Sequence, residues 1–573
     1  MGSRRRSRRV VVSSSFLIAS FGAGAHAQST VRIDIANDGT ESTGAAMEVD
    51  VCDDGTRVVF ASYADGLDPA DVNGHEDVLL RDLVAGTTTL VSVRTSGKQA
   101  IGDSRRPRIS GDGKFVAFDS DARNLVNFDT NGVTDVFLHD LVLGTTKRVS
   151  VASDGTEGDG PSGLVAISGD GNRVLFRSDA KNLVAGDTNG FTDLFLRDVA
   201  AGSTIRVSTA ADGTEADSAT VSGDMSRDGQ IVLMMSYADN LVTGDTNEIC
   251  DVFVHDLVAG TVVRASVDSN GGELVWGGGN PYLPDGNAIS PDGRLVAFPS
   301  FVSDLASGDD NNAVDVFLRD LTAGTTTAIS VDSAGSFSPM EYPIYGVHAD
   351  GISDDGRFIL MEGAALELAA HERTGRNLDD VYIRDRTLSM TTRQSDDPGG
   401  DSGDAPSMNA RMSIDGLQVV FVSQATNLIG GHPTSGKCAF LVTRTPRAGS
   451  ASEYGTGFPG SLGVPSLALS VPPVLNTPDD LLLGNSFGGW TPALLVIGLQ
   501  SAQLPTSLGG DLLVLPHWTV FVAVPPGGLD SAMVVPPEER LASLSVYVQA
   551  LELDPGAAKG VSFSAGLEVR AGF

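Results

Sequence analysis

The feature that most constrains this fold is a unit that recurs seven times along the chain. Each copy has an Asp-Gly pair between two short apolar segments, as in Ile109–Phe118 (ISGDGKFVAF). Successive pairs lie 58 to 64 residues apart, a regularity that excludes chance and indicates an array of equivalent units. The aspartates of the seven pairs are Asp54, Asp112, Asp170, Asp228, Asp292, Asp355 and Asp415.

Each copy has the pattern of four short β-strands separated by glycine-containing turns. In the second copy the strands are predicted at residues 108–110, 114–118, 136–138 and 147–151. Runs such as FVAF are apolar on successive residues, which is typical of strands buried on both faces. With no helical periodicity, the pattern predicts an all-β fold, a seven-bladed β-propeller over residues 28–446.

The seventh copy contains only three of its four strands. It reaches a third strand at Ala439–Val442, and no fourth strand follows. Near the N-terminus, Val31–Ala36 and the following Asp38-Gly39 pair match a fourth strand and its loop. We therefore expect the N-terminal strand to complete the last blade and close the ring without a free sheet edge.

The segment Ile289–Phe298 (ISPDGRLVAF) resembles the repeat of TolB-type, WD40-like (PD40) β-propellers. The likeness extends over all seven copies and implies the propeller fold. It does not specify a function, because such propellers bind proteins, support peptidases or occur in secreted bacterial proteins.

The first 27 residues have the order of a secretory signal peptide. Five arginines between Arg4 and Arg9 precede an apolar stretch at residues 10–21, and Ala25-His26-Ala27 offers a cleavage site. No later stretch is apolar for about eighteen residues, so we expect no membrane span. The predicted location is periplasmic, extracellular or at the cell surface.

Charge and cysteine content exclude several classes of protein. The chain has 39 Lys and Arg against 73 Asp and Glu, a net charge of −34, which disfavours a nucleic-acid partner. Three cysteines, Cys52, Cys250 and Cys438, cannot form a disulfide framework. We expect buried free thiols, the alternative being one bridge between the first and seventh blades.

One polar motif, Asp-x-Asn-x-x-x-Asp, lies between the second and third strands of five copies. Alternating oxygen ligands in a tight loop suit Ca²⁺, and the spacing resembles, but is shorter than, the calcium loops of integrin-type propellers. The alternative is a turn in which Asp and Asn bind their own backbone. The residues concerned are Asp71, Asn73, Asp77, Asp129, Asn131, Asp135, Asp187, Asn189, Asp193, Asp245, Asn247, Asp251, Asp309, Asn311 and Asp315.

No catalytic motif is evident. The sequence has no G-x-S-x-G elbow, and the segment from His371 to Gly375 departs from the zinc-protease motif because Gly375 replaces the second histidine. No catalytic residue and no cofactor other than possible Ca²⁺ is therefore predicted.

Residues 447–573 differ in composition and form a second predicted domain. Apolar runs separated by Pro and Gly predict a small β-sandwich. The opening Tyr454-Gly455-Thr456-Gly457 and the strand around Val548-Gln549-Ala550 resemble a C-terminal β-domain of predicted secreted bacterial proteins.

Two functions from different classes are compatible with these features. The first is a monomeric, non-catalytic secreted propeller that binds a protein or polymer on its loop faces. The second is a secreted lyase or hydrolase with its active site at the propeller mouth. A shallow funnel would favour the first, and a deep pocket with paired carboxylates or a metal would favour the second.

Overall fold

The structure is a computed structural model. It describes residues 28–42, 46–274, 286–306, 308–311, 313–338, 346–365, 368–369, 378–430, 436–444 and, with short gaps, 450–570. The predicted signal peptide, residues 1–27, and the segment from His371 to Gly375 lie outside the described residues. Contacts divide the chain into two units, Ser29–Arg444 and a second unit that contains Thr445–Phe573.

The first unit contains seven antiparallel sheets of four strands each, as the repeat predicts. The N-terminal strand is β1 (Gln28–Arg32). Sheet 1 contains β2 (Ala46–Val51), β3 (Arg57–Ser62), β4 (Asp77–Asp82) and β5 (Thr87–Leu90). Sheet 2 contains β6 (Ser104–Ile109), β7 (Phe115–Ser120), β8 (Asp135–Asp140) and β9 (Thr145–Arg148). Sheet 3 contains β10 (Ser162–Ile167), β11 (Arg173–Ser178), β12 (Asp193–Asp198) and β13 (Ser203–Arg206). Sheet 4 contains β14 (Thr220–Met225), β15 (Ile231–Ser236), β16 (Asp251–Asp256) and β17 (Thr261–Arg264).

The remaining three sheets repeat this order. Sheet 5 contains β18 (Ala288–Ile289), β19 (Leu295–Ser300), β20 (Asp315–Asp320) and β21 (Thr325–Ala328), with a 3₁₀ turn at Ser303–Leu305. Sheet 6 contains β22 (Val347–Ile352), β23 (Phe358–Gly363), β24 (Asp380–Asp385) and β25 (Met390–Arg393). Sheet 7 contains β26 (Ser407–Met412), β27 (Gln418–Ser423), β28 (Cys438–Arg444) and β1, which lies beside β28.

The first strand of each sheet lies next to the first strand of the following sheet. β2 contacts β6, the same relationship continues through β10, β14, β18, β22 and β26, and β26 contacts β2. Among the described residues the first unit has no α-helix. Seven four-stranded sheets in this order are consistent with a β-propeller.

The Asp-Gly pairs form the turn between the first and second strands of each sheet. In sheet 2 the Asp112 Oδ1 accepts hydrogen bonds from Ser110 Oγ, at 2.7 Å, and from the Lys114 N–H, at 3.1 Å. Gly113 has φ +67°, a conformation that glycine adopts without strain. The side chain of Asp112 and the backbone of Gly113 therefore fix the hairpin that the sequence predicts.

The second and third strands of the sheets supply the buried core, as their apolar runs predict. Phe118 on β7 stacks on Phe137 on β8 with ring centroids 6.0 Å apart, and Phe176 and Phe195 repeat this contact in sheet 3 at 5.8 Å. All four rings are fully buried. Aromatic pairs of this kind contribute about 0.5–1.5 kcal/mol beyond the area that they bury.

The fourth strand of sheet 2 differs from its predicted position, residues 147–151. β9 spans Thr145–Arg148, and the Val149 N–H still donates to the Val136 carbonyl of β8 at 2.8 Å. Val151 pairs with Glu157 as an isolated bridge, around a turn closed by the Ala152 N–H and the Thr156 carbonyl at 2.8 Å. Val149, the first apolar residue after Arg148, is buried in a core with Val136 of sheet 2 and Val174 of sheet 3.

The described residues of the second unit form β-strands and no helix. Its strands are β29 (Ser450–Tyr454), β30 (Leu467–Leu469), β31 (Pro478–Leu483), β32 (Thr491–Gly498), β33 (Ser501–Pro505), β34 (Asp511–Val514), β35 (Trp518–Val524), β36 (Leu529–Val534), β37 (Ser545–Leu553), β38 (Val561–Phe563) and β39 (Gly566–Arg570). One sheet has the order β29-β39-β37-β32-β35 with β38 on β37, a second has β30-β31-β36, and β33 pairs with β34. Leu467 and Leu481 of the second sheet share a core with Leu495 and Val548 of the first.

Among the described residues, no helix is long and apolar enough to cross a bilayer.

Candidate functional site

The asparagine of each Asp-x-Asn loop joins two segments of its sheet. In sheet 2, Asn131 Oδ1 accepts the Val133 N–H at 3.2 Å, and Asn131 Nδ2 donates to the Gly158 carbonyl at 3.0 Å. The other four asparagines make the same two kinds of bond, Asn73 with His75 and Ala100, Asn189 with Phe191 and Ala216, Asn247 with Ile249 and Leu274, and Asn311 with Ala313 and Ser338. The loop therefore has the backbone-bonded turn that was the alternative to a metal site.

The last aspartate of each loop begins the third strand and is buried against a serine. In sheet 2 the Ser150 Oγ donates to Asp135 Oδ1 at 2.7 Å and accepts the Val136 N–H at 3.0 Å. The equivalent pairs are Ser92 with Asp77, Ser208 with Asp193, Ser266 with Asp251 and Ser330 with Asp315. One carboxylate oxygen of each loop is thus already used within the sheet.

An arginine lies among the carboxylates in sheets 2, 3 and 4. In sheet 2 the Arg148 guanidinium lies 2.8 Å from Asp135, 2.8 Å from Glu157 and 3.6 Å from Asp129. Arg206 in sheet 3 and Arg264 in sheet 4 occupy the same place. The arginine uses the same carboxylates as a cation would, so Ca²⁺ could bind there only if the guanidinium moved away.

The loops of sheets 1 and 5 have no arginine at this position. In sheet 1 the Gln99 Nε2 donates to Asp71 at 2.7 Å and to Asp77 at 2.9 Å. In sheet 5 the position is Ala328, and Asp309 lies near Asp315. Burial and the charge of Asp315 raise the pKa of Asp309 to about 6. Burial and the charge of Asp77 likewise raise the pKa of Asp71 in sheet 1 to about 6, so a bound cation would stabilise the ionised carboxylates of both loops.

A second site lies at the first strands of six sheets and the segment before β18, where a cavity of about 470 Å³ opens. Five carboxylates, four arginines and one histidine line it. They are Glu48 and Asp50 on β2, Arg106 and Arg108 on β6, Arg177 on β11, Asp224 on β14, His348 and Asp350 on β22, Glu362 on β23 and Arg411 on β26. Charged side chains from six sheets thus converge on one space.

Some of these side chains tie neighbouring sheets together. Asp50 Oδ2 accepts the Ile109 N–H at 2.9 Å, which joins sheets 1 and 2, and Asp224 Oδ2 accepts the Ile289 N–H at 3.1 Å, which joins sheets 4 and 5. Asn409 Nδ2 donates to the Met47 carbonyl at 2.6 Å, which joins sheets 7 and 1. Burial raises the pKa of both Asp50 and Asp224. The cavity wall is therefore polar and held by side chains.

The most closely packed part of this wall is formed by His348, Asp350 and Glu362. His348 Nε2 lies 2.9 Å from Glu362 Oε1 and 3.8 Å from Asp350 Oδ2. Burial alone would lower the pKa of His348, but the two carboxylates outweigh it and raise that pKa to about 9. Burial and the Glu362 charge raise the pKa of Asp350 to about 7. Burial acts to raise the pKa of Glu362, but the hydrogen bond from His348 outweighs burial, so the pKa is lowered.

Irregular backbone places several of these groups. The register of β22 on β23 shifts between Ala349 and Gly351, which leaves Asp350 at a bulge. Arg106 on β6 and Asn409 on β26 lie at register shifts too, with φ values of +47° and +58° that non-glycine residues rarely adopt. Bulges and strained residues recur beside functional sites because they redirect a side chain.

Sequence reasoning did not identify this cavity. Most of its charged residues lie on first strands, where the repeat predicts only an apolar segment before a turn, and Arg177 and Glu362 lie on second strands. A signal was present, since a charged residue stands directly before the apolar residue that precedes the turn in four copies: Asp50, Arg108, Asp224 and Arg411. Charge at an otherwise buried position of a repeat would have indicated the site.

Comparison with solved structures gives remote matches, and those described below are at most 17% identical with TM-scores of at most 0.40. No family model matches the chain, and no curated protein matches it. A protein assigned as TolB from Agrobacterium tumefaciens is 17% identical over 53% of this chain and 89% of its own, with a TM-score of 0.30. The acylaminoacyl peptidase of Pyrococcus horikoshii is 11% identical, with a TM-score of 0.40. The match covers 78% of this chain and 59% of the peptidase. The GH74 xyloglucanase of Xanthomonas campestris is 11% identical, with a TM-score of 0.38. The match covers 94% of this chain and 81% of the xyloglucanase. At such values these likenesses carry no argument about activity.

Proposed function

We propose that this chain is an exported, non-catalytic β-propeller that binds a polar group of a protein or polymer in its central cavity. The seven sheets would form one ring that β1 closes beside β28, with the loop faces around the cavity available to the rest of the ligand. The observation that carries the proposal is the convergence of charged side chains from six sheets on one cavity.

Three polar atoms of the cavity lining support a ligand at this place. Glu48 Oε2, Asn287 Oδ1 and Asp350 Oδ2 are buried and have no hydrogen-bond partner among the described residues. A buried polar atom without a partner costs about 1–3 kcal/mol, so such atoms are kept where a ligand or water satisfies them. All three are acceptors, which favours a ligand with hydroxyl or N–H donors.

Binding of defined ligands to wild type and a cavity variant tests this proposal. Oligosaccharides and peptides of known sequence would be screened by thermal shift and then by calorimetry. We expect a ligand whose affinity falls at least about tenfold in Glu48→Gln, since a lost hydrogen bond to a charged group costs about 1.5–3 kcal/mol and about 1.4 kcal/mol is a factor of ten. Asp38→Asn, on an exposed turn where Asp38 caps Thr40, is the matched control. Equal affinity in Glu48→Gln and wild type for every ligand would contradict the proposed site.

A lyase or hydrolase is the second candidate, and one observation favours it. The neighbouring carboxyl groups have pKa values displaced in opposite directions, Asp350 upward to about 7 and Glu362 downward. Such a pair can supply a general acid and a general base at neutral pH. Incubation with a polysaccharide panel would show new reducing ends for a hydrolase or an unsaturated product for a lyase. Turnover by wild type that is lost in Asp350→Asn would show that the chain is an enzyme and not a non-catalytic binding protein.

The cellular setting is part of the same proposal. Residues 1–27 would direct export, and the mature chain would act as a monomer in the periplasm, outside the cell or at its surface. Residues 447–573 would form a separate β-sandwich, which the shared core of its two sheets supports. Cell fractionation with an antibody, and mass spectrometry of the mature N-terminus, would test cleavage after Ala27.

Calcium is proposed as a stabilising ion of the Asp-x-Asn loops, first of all in sheet 5. Asp309, Asn311 and Asp315 lie together there without an arginine, and Asn311 Nδ2 lies 2.8 Å from Asp315 Oδ2. Because Ca²⁺ takes about six to eight oxygen ligands, water and backbone carbonyls would have to complete the shell.

A further inference from the structure

The arrangement of His348, Asp350 and Glu362 carries an inference beyond binding of a polar ligand. Each residue offers one ligand atom, and the three atoms lie within 4.8 Å of one another. His348 Nε2 lies 2.9 Å from Glu362 Oε1 and 3.8 Å from Asp350 Oδ2. Ligand atoms that share one transition-metal ion at about 2.0–2.2 Å lie roughly 3.0–3.5 Å apart, so a small rearrangement would place all three on one ion.

We propose that His348, Asp350 and Glu362 bind one divalent transition-metal ion, Zn²⁺ or Mn²⁺, in the central cavity. The inference rests on the proposed function in that the ion would lie on the wall of the same ligand-binding cavity. An imidazole nitrogen with two carboxylate oxygens is a donor set suited to these ions. Three protein ligands leave positions that a ligand or water in the cavity could occupy.

The surroundings of the two carboxylates orient them toward the proposed ion. Glu362 Oε2 accepts the Ala410 N–H at 2.8 Å, which leaves Oε1 directed at His348. Asp350 Oδ1 accepts from the Arg411 guanidinium at 3.2 Å, which leaves Oδ2 directed at the same place. Outer partners that hold one oxygen and present the other are typical of metal-binding carboxylates.

Asp350 provides the observation that is independent of the clustering. Its side chain is only 8% exposed, and Oδ2 is buried without a hydrogen-bond partner among the described residues. A histidinium paired with Glu362 would satisfy His348 but would leave this oxygen unsatisfied. An ion shared by all three residues satisfies Asp350 Oδ2 as well.

The position of the histidine is supported by the backbone that faces it. A Cβ at residue 286 would lie 2.5 Å from His348 Cδ2, so only glycine there leaves room for the imidazole. The Gly286 carbonyl also accepts the Ala349 N–H at 3.1 Å, which holds β22 against this segment. His348 and Glu362 are direct cross-strand partners in the β22–β23 register, so the sheet itself fixes their separation.

The test uses the full mature chain and the metal ions alone. Protein stripped with a chelator would be dialysed against Zn²⁺ or Mn²⁺ and analysed by plasma mass spectrometry, and the affinity would be measured by calorimetry. We expect one ion per chain in wild type and at least a tenfold weaker affinity in Asp350→Asn and in Glu362→Gln. Co²⁺ loaded in place of Zn²⁺ should show visible absorption bands that are lost in both variants.

A matched control separates the cluster from the general negative charge near His348. Asp379→Asn removes a negative charge that acts on His348 from outside the cavity lining and leaves the three ligands in place, so it should keep the ion. Loss of the ion in Asp379→Asn to the same degree, or no ion retained by wild type, would overturn the inference. All measurements would use an Asp309→Asn background so that the sheet 5 loop contributes nothing, with circular dichroism to verify folding.

The result is distinguishable from that of the ligand-binding test. If oligosaccharides or peptides bind the cavity and no ion does, the inference fails and the proposed function stands. If one ion binds through the three residues and no compound of the panel binds, the inference stands and the proposed function fails.

Discussion

Arg227 on the turn after β14 binds Asp53 on the turn after β2, and the two residues are 174 positions apart in the sequence. The Arg227 Nε lies 2.8 Å from Asp53 Oδ2. The Asp53 N–H donates to the Gly111 carbonyl at 3.1 Å, and the Gly169 N–H donates to the Arg227 carbonyl at 2.7 Å. Turns of sheets 1 to 4 are therefore linked by backbone bonds between neighbours and by one ion pair between sheets 1 and 4.

Arg227→Ala should cause a small, salt-dependent loss of stability. The side chains are 49% and 23% exposed, so solvent screens the pair and the free energy of unfolding should fall by about 0.2–1 kcal/mol. Urea unfolding at low and high salt would measure the difference, which should shrink at high salt. Lys114→Ala, which removes the ion pair with Asp112 within one turn, is the control. A loss that is equal at both salt concentrations would show that packing rather than charge is responsible.

Arg148→Met should destabilise sheet 2 strongly at neutral pH. The Arg148 side chain is 10% exposed and lies against Asp135 and Glu157, so its removal leaves buried carboxylates without that positive partner. Removing one partner of such a buried ion pair typically lowers the free energy of unfolding by about 3–5 kcal/mol. Guanidinium unfolding of the variant at pH 7 would measure the loss.

The additional change Asp129→Asn supplies the control for this prediction, because it lowers the repulsion that remains in the Arg148→Met variant. The double variant should recover part of the lost stability. Identical unfolding free energies for the single and double variants would contradict the electrostatic explanation.

Asp309→Asn should stabilise the protein near pH 7.5 and have no effect below pH about 4. The folded-state pKa of Asp309 is raised from 3.8 to about 6, so ionisation of this group opposes folding. The stability contributed by its neutral form is therefore complete below the unfolded pKa and is lost as pH rises through about 6. After allowance for solvent screening, we expect a gain of about 1 kcal/mol at pH 7.5. Thermal melts of wild type and variant from pH 4 to 8 would measure it.

If the sheet 5 loop binds Ca²⁺, added Ca²⁺ should make the wild type more stable than Asp309→Asn. Melting of the chelator-treated wild type should then shift upward with added Ca²⁺, and that of Asp309→Asn should not. Asp187→Asn is the matched control, because Arg206 lies beside Asp187 in sheet 3. No calcium-dependent shift in the wild type would refute the calcium proposal.

The sequence was sufficient to predict those parts of the fold that depend on local chemistry. The Ser110-x-Asp112-Gly113 turn and the buried FVAF run are determined within a few residues, and each forms as expected. The Asp-x-Asn loops show where such reasoning ends. Their oxygen ligands were visible in the sequence, but Arg148, which lies among them, enters from the fourth strand, 19 residues after Asp129.

The cavity depends on relationships that a single sequence does not show. The pairing of His348 with Glu362 follows from the register around the Asp355-Gly356 turn and could have been derived once that hairpin was assigned. The bulge at Asp350 could not, because an extra residue in a strand leaves no compositional mark. The approach of Arg411 to Asp350 requires two sheets to pack side by side, which depends on the whole ring.

Gly286→Ala should displace His348 and remove the proposed metal ion. The new Cβ would lie 2.5 Å from the imidazole, and the φ of +123° would itself be strained for alanine, so the free energy of unfolding should fall by about 1–3 kcal/mol. Gly39→Ala is the matched control, because Gly39 has φ +87° but no atom within 4 Å of the added carbon. It should show the backbone strain without loss of the ion. Retained Zn²⁺ or Mn²⁺ binding in Gly286→Ala, measured at equilibrium on folded protein, would contradict the placement of His348 as a ligand.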